Sequence, residues 1–338
     1  MKQNRYEALD GLRAFACIGI VMMHVLVNGK YQLNGFLFEK MIPSFTSFVY
    51  LFMTISGFGM CCGYYEKFLG KNIDIVSFYH KRYAKILPFF SVLCLIDLAM
   101  SPGIGALYEV IANLTLCFGL IPNAHITVIG VGWFLGVVFA FYLLFPFYCA
   151  LLSSKVKAWM TLIVSFIMNY LCSVYFGAGM KSIVFCFVFF VVGGLIYLYR
   201  QTLNETIWIK WISFGLVVAL TLVYFFINDG VIVISLFNAA IVAFAISRER
   251  KSVLNNKITK FIGGISFEVY LCHMLIYRCV EKVHLLRITT NEGCNYFIAV
   301  VVVFIGAVMF AFIGQKAIRT VGKLCKNVKC IFEKQNTI

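Results

Sequence analysis

Charge is scarce in this sequence, and acidic charge scarcest: 13% of the 338 residues are charged, with 14 Asp and Glu against 29 Lys and Arg. Together with 62% hydrophobic residues and a mean hydropathy of +0.91, this excludes an ordinary soluble globular protein. No stretch is long and polar enough to form a separate soluble domain. The chain therefore reads as one integral membrane domain, 1–320, followed by a basic cytoplasmic tail, 321–338. The 13 cysteines include no CxxC pair and no Cys/His spacing suited to zinc, so neither a metal nor a redox centre is expected. Most of them, such as Cys17, Cys94, Cys117, Cys149, Cys172 and Cys186, fall in apolar stretches where Cys acts as a small hydrophobe. No small-residue cleavage site accompanies the first apolar stretch, which is expected to be a retained helix rather than a signal peptide. No internal repeat marks the inverted-repeat architecture of transporters.

What the sequence has in abundance is apolar runs of membrane-spanning length. Ten recur, at 8–28, 44–64, 83–101, 128–152, 158–177, 182–200, 210–227, 230–247, 262–282 and 295–317. An eleventh stretch, 103–122, is bracketed by Pro102 and Pro122 and contains Glu109 and Asn113. Charge bias settles its status. If it does not cross, 22 of the 29 Lys and Arg residues fall on one side, whereas Lys30, Lys40, Lys181, Lys282 and Arg287 remain on the other. If it crossed, the basic segments RERKSVLNNKITK and KAIRTVGKLCKNVK would both face outward, against the positive-inside rule. The expected fold class is an all-α integral membrane protein of about ten transmembrane helices with both termini cytoplasmic and a re-entrant or interfacial segment near 103–122. The net charge of +15 is then largely topological, and nucleic acid is not an expected partner. The tail, with spaced apolar residues in VGKLCKNVKCIF, suits a short helix on anionic membrane lipids.

The most informative residues lie in the first run, ALDGLRAFACIGIVMMHVLVN. Asp10, Arg13, Cys17 and His24 share one helical stripe, with Asp10 spaced to pair with Arg13. Eleven steps separate Arg13 from His24, about 16 Å of depth. Ionisable groups inside a membrane helix cost about 2.5 to more than 10 kcal/mol, which makes each of them a candidate for function. An ion pair at the helix entrance, with His24 as an interhelical hydrogen-bonding residue, is the structural alternative. A second cluster, FYHKRYAKILP, places Lys81, Arg82 and Lys85 within about one turn at the inner end of the third span. They suit phosphate binding or plain topological anchoring equally well. The fourth span carries Trp133 and Tyr142. In the ninth, ISFEVYLCHMLIY, the residues Ser266, Tyr270 and His273 share a face, with Glu268 on another.

These segments, in this order, resemble acyltransferase family 3, the membrane O-acyltransferases of the polysaccharide O-acetyltransferase type. LDGLRAFACIGIVMMH matches the family's opening LDGLRxxA and its Arg-X10-His motif. LFMTISGFGM, with Ser56, is similar to its SGF turn, KRYAKILP to its RxxRIxP motif, WFLGVVFAFYLLFP to its Trp-to-Pro segment and ISFEVYLCHMLI to its SYxxYLxH helix. The sequence departs from the family's WSLxxE pattern, with Phe134 and Val138 at the serine and acidic positions. Lys85 stands where arginine is commoner and lacks its bidentate fork.

The resemblance implies transfer of an acetyl or other short acyl group from acyl-CoA, acetyl-CoA above all, to a hydroxyl of a cell-surface polysaccharide or lipid-linked glycan. It implies a multi-pass protein of the bacterial cytoplasmic (inner) membrane. On that reading His24 is the general base, and Arg13, held by Asp10, binds the donor or stabilises the developing oxyanion. Arg82, Lys85 and Lys81 hold coenzyme A phosphates, and Ser56, Trp133, Tyr142, Glu268 and His273 position substrates. No segment resembles the extracytoplasmic hydrolase-like domain of some members, so a second transferase, where the reaction needs one, is expected to be a separate extracytoplasmic protein. A secondary transporter or flippase-like protein for sugars or lipid-linked glycans is the rival expectation from another class, with Asp10, Arg13, His24 and Glu268 lining a polar path.

Overall fold

The computed structural model describes residues 6–120, 129–205, 207–247 and 253–335. Pro122 and Asn123, the basic residues Arg248, Arg250 and Lys251, and the last three residues of the tail lie outside the described residues. All regular elements among the described residues are helical. They are α1 (Ala8–Gly29), α2 (Leu37–Leu69), α3 (Ile75–Met100), α4 (Ile104–Leu114), α5 (Trp133–Leu151), α6 (Lys155–Phe176), α7 (Ile183–Leu198), α8 (Ile207–Phe226), α9 (Val231–Ile246), α10 (Lys257–Lys282) and α11 (Glu292–Gln335).

Among the described residues, seven helical segments are long and apolar enough to cross a membrane: α1, α2, α3, the segment Gly130–Leu151 that ends in α5, α6, and the apolar parts of α8 and α11. α7 and α9 are apolar but only 16 residues long, and α10 interrupts its apolar residues with Glu268, His273 and Arg278. Each of the ten apolar runs is thus a helix, and seven of them meet the length and hydropathy of a span. α6 and α8 turn Trp159, Ile163, Trp208, Trp211 and Ile212 outward, as helices facing lipid do, while α1, α5 and α7 bury most of their side chains.

Polar capping explains where the helices begin. α3 starts eight residues before its apolar run because the Asp74 carboxylate accepts hydrogen bonds from the Val76 amide (3.2 Å) and the Ser77 amide (2.8 Å). Lys81, Arg82 and Lys85 are consequently within the helix, two turns from its start, rather than at its end. α10 begins at a capping box in which Asn256 accepts from the Ile258 and Thr259 amides. In the 103–122 stretch, α4 has 11 residues, about half of the roughly 20 needed to span hydrocarbon. The turn that follows it, Cys117–Leu120, lies against α5, where a Cβ on Gly119 would fall on the Gly136 backbone. α11 continues to Gln335 without a break, so no helix end marks the expected boundary at 320/321.

Three contacts set the relative direction of the inner helices. Glu7, just before α1, forms an ion pair with Lys260 near the start of α10. His24 packs on His273 further along both helices, so α1 and α10 run parallel. Tyr296 at the start of α11 donates to the Met22 carbonyl (3.1 Å), and α11 therefore runs back, antiparallel to α1. The start of α1, the start of α10 and the residues around Arg319 of α11 lie at one end of the bundle. At the other end Arg287 donates to the carbonyls of Gly29 (3.2 Å) and Lys30 (3.1 Å), closing the last turn of α1 where Lys30 adopts a left-handed conformation.

α1 and α10 touch backbone to backbone at Gly263, where a Cβ would overlap the Asp10 main chain. A Cβ at the adjacent Gly264 would meet nothing within 4 Å. Gly263→Val is therefore expected to lower stability by about 1–3 kcal/mol through overpacking, and Gly264→Val to leave it unchanged. Thermal melts of the two variants in detergent check this; equal midpoints would show that the close approach is not required.

Candidate active site

At the end where α1 and α10 begin, a cavity of about 890 Å³ opens into the bundle between α1, α2, α3, α5, α10 and α11. Six charged residues line it: the cations Arg13, Arg82, Lys85 and Arg319, and the carboxylates of Asp10 and Glu268. Cations outnumber carboxylates four to two, in a chamber otherwise walled mostly by aromatic, aliphatic and small side chains.

α1 contributes the ion pair. Arg13 Nη1 donates to Asp10 Oδ1 at 2.8 Å, with Asp10 only 5% exposed and Arg13 partly open to the chamber. The backbone contact at Gly263 holds Asp10 against α10, so the pair is fixed at the wall. α10 brings Ser266, Glu268 and Tyr270 to the same cavity. Glu268, expected on another face of that helix, is buried and shares the chamber with them. It and Asp10 both interact electrostatically with Lys85, as do Arg13 and Arg82.

Arg82 is held from α2. A wide turn at Cys61–Tyr65 loosens that helix where Cys62, Gly63 and Tyr64 border the cavity, the sort of interruption often found at functional sites. Arg82 Nη2 donates to the Tyr64 hydroxyl at 2.6 Å, and its guanidinium lies 4.8 Å from the Tyr64 ring centre and 5.7 Å from that of Tyr142. Among the described residues, its buried Nε has no hydrogen-bond partner. Among the described residues no carboxylate pairs with the guanidinium, which is positioned by aromatic rings and has its charge available to an anion.

The cavity ends at three rings. Phe52 of α2, Phe134 of α5 and Tyr270 of α10 stand with centroids 5.1 to 6.4 Å apart, and the Tyr270 hydroxyl donates to the Val131 carbonyl (3.1 Å). Beyond them lie the two histidines, which are not among the cavity-lining residues. The rings of His24 and His273 are 5.0 Å apart, and His273 packs 5.8 Å from Tyr270. His24 is half-buried; His273 is 0% exposed, with Nδ1 2.6 Å from the Tyr270 carbonyl.

Of the residues singled out from the sequence, the structure thus gathers Asp10, Arg13, Ser56, Arg82, Lys85, Tyr142 and Glu268 around one chamber and pairs His24 with His273 behind it. Lys81 is exposed and Trp133 packs on Phe134; neither lines the chamber. Tyr64, Gln315 and Arg319 do line it, though the sequence singled out none of them. Arg319 belongs to a basic segment that charge bias alone already accounted for, and Tyr64 becomes significant only through its contact with Arg82. Among the described residues, no three His, Cys, Asp or Glu side chains converge as a metal site.

An all-helical, multi-pass membrane protein with an internal cationic chamber is the class that fold and site define. A family model for an acyltransferase domain, that of acyltransferase family 3, matches residues 6–314, and the chain belongs to this family. It is a membrane acyltransferase. No curated protein and no solved structure matches the chain.

Proposed function

We propose that the protein transfers an acetyl or other short acyl group from acyl-CoA to a hydroxyl of a cell-surface polysaccharide or lipid-linked glycan. The observation that carries this reading is the chamber's surplus of cations, with Arg82 held by rings instead of a carboxylate. Such a site suits a polyanionic donor that carries its thioester on a long, thin arm. In this reading the protein crosses a bacterial cytoplasmic membrane ten times with both termini inside, so that the chamber opens to the compartment that holds acyl-CoA.

Arg82, Lys85 and Arg319 take the donor's phosphates near the mouth, and Arg13, kept in place by Asp10, takes charge deeper in. Arg13 and His24 are about 16 Å apart in depth, too far to serve one carbonyl carbon. That separation supports donor binding as the role of Arg13, over stabilisation of the oxyanion. The thioester arm passes the ring layer to reach His24, which takes the proton of the acceptor hydroxyl as its oxygen bonds to the acyl carbon. The C–S bond breaks, and the proton returns to the departing thiolate.

Membranes incubated with radiolabelled acetyl-CoA are expected to pass label to glycan; absence of transfer from acetyl-CoA and from other short acyl-CoAs overturns the reading. Arg82→Ala is expected to raise the KM for the donor about tenfold, the equivalent of one charge-assisted contact, and Lys81→Ala to leave it unchanged. Steady-state kinetics with acyl-CoA as the varied substrate measure both, and equal effects at the two positions would remove the chamber as the donor site.

A further inference from the structure

We propose that His273 is the positioning residue for His24, accepting a hydrogen bond from the His24 ring at its Nε2 and so fixing which nitrogen of His24 is the base. The inference rests on the functional reading above and adds a role for a residue that reading leaves without one.

Three observations carry it. His273 Nδ1 lies 2.6 Å from the Tyr270 carbonyl, and a carbonyl only accepts, so Nδ1 bears the ring proton. In the neutral ring Nε2 must then present a lone pair. That Nε2 is buried and, among the described residues, has no partner, an expensive condition for a polar atom inside a protein. The imidazole of His24 stands beside it, with ring centres 5.0 Å apart at 45°. A modest rotation of the half-buried His24 brings a ring N–H to Nε2 at the usual separation of about 3 Å.

The geometry has a direction. Tyr270 carbonyl, His273 and His24 form a chain in which each acceptor is fixed by the group behind it. With one His24 nitrogen donating to His273, the other carries the lone pair that accepts the substrate proton. Histidine bases are commonly oriented by a partner in this way, often a carboxylate; here the partner is a second neutral imidazole whose own tautomer the main chain fixes.

The test separates the lone pair at Nε2 from the bulk of the ring. His273→Gln can return an acceptor oxygen near the Nε2 position. His273→Asn keeps a donor to the Tyr270 carbonyl but reaches no further, and His273→Phe keeps the volume alone. In acyl-transfer assays kcat is expected to stay within about fivefold of wild type for His273→Gln and to fall at least fiftyfold for His273→Asn and His273→Phe, with the KM for acyl-CoA unchanged in all three. If His273→Phe does not fold, the comparison of Gln with Asn decides alone. A second readout does not depend on activity: carbethoxylation of His24 in the purified protein, followed by mass spectrometry. Its rate is expected to fall at least threefold in His273→Asn and to stay near wild type in His273→Gln, since a ring nitrogen gains nucleophilicity when its partner donates. Wild-type rates of transfer and modification in His273→Asn overturn the proposal, as does equal loss in Gln and Asn. A wild-type protein that transfers no acyl group while His24 modification still follows His273 counts against the functional reading and leaves the pair standing.

Discussion

Replacing His24 with alanine is expected to cut acyl transfer by about 10²- to 10⁴-fold, the range a positioned general base contributes, while the protein keeps its fold. The structure gives reasons for both halves. The half-buried His24 side chain forms a ring contact with His273 behind the chamber. Its backbone carbonyl accepts from the Asn28 side-chain amide at 2.8 Å, a bond that alanine preserves. The surrounding turns of α1 are held by Cys17 against the Ser266 carbonyl and by Tyr296 against the Met22 carbonyl. Transfer of label from acetyl-CoA to glycan and a thermal midpoint in detergent make the comparison. Normal levels of acylated product in the alanine variant would refute the assignment of His24.

The second large effect is at Arg13. Arg13→Ala is expected to reduce transfer at least tenfold at limiting donor and also to destabilise the protein, because it removes the cation 2.8 Å from the buried Asp10 carboxylate. Breaking a fully buried ion pair costs about 3–5 kcal/mol. Since 30% of the Arg13 side chain is exposed to the chamber, a discounted cost of about 1–3 kcal/mol is expected here. A double variant separates the two losses. Asp10→Asn with Arg13→Gln keeps polar side chains at both positions and removes both charges, and it is expected to recover most of the thermal midpoint and none of the donor affinity. Recovery of both would reduce the pair to a structural one.

The first helix disclosed this much in advance because its signal is local. Asp10 and Arg13 are three residues apart, and charges inside an apolar run stand out whatever surrounds them. The limits of that legibility are physical. Glu268 lies on another face of α10 from Ser266 and Tyr270, and it reaches the same cavity because α10 borders a chamber wide enough to be lined from Gly263 to Tyr270. Arg82 and Lys81 are adjacent in sequence, and only the 100° between them sends one towards Tyr64 and the other to the surface. α3 starts eight residues ahead of its apolar run because a hydropathy run begins where residues become apolar, and the helix begins where Asp74 caps it. The two histidines are 249 residues apart, and nothing in a single sequence joins them; the parallel packing of α1 and α10 does. The membership in acyltransferase family 3 was legible, since its motifs lie in order along the chain and the family match extends over residues 6–314.

A chamber of about 890 Å³ cut into a membrane-spanning bundle is half of a pore, and Phe52, Phe134 and Tyr270 keep it half. A living membrane stores about 2.3 kcal/mol per elementary charge for each 100 mV across it. A water-filled path from the mouth past Arg13 and His24 would discharge that store as protons or ions. The three rings put apolar surface across that path. Their one polar atom, the Tyr270 hydroxyl, gives its proton to the Val131 carbonyl. On the reading proposed above, an enzyme built this way admits a highly charged donor deep into its interior without opening a path for ions across the bundle.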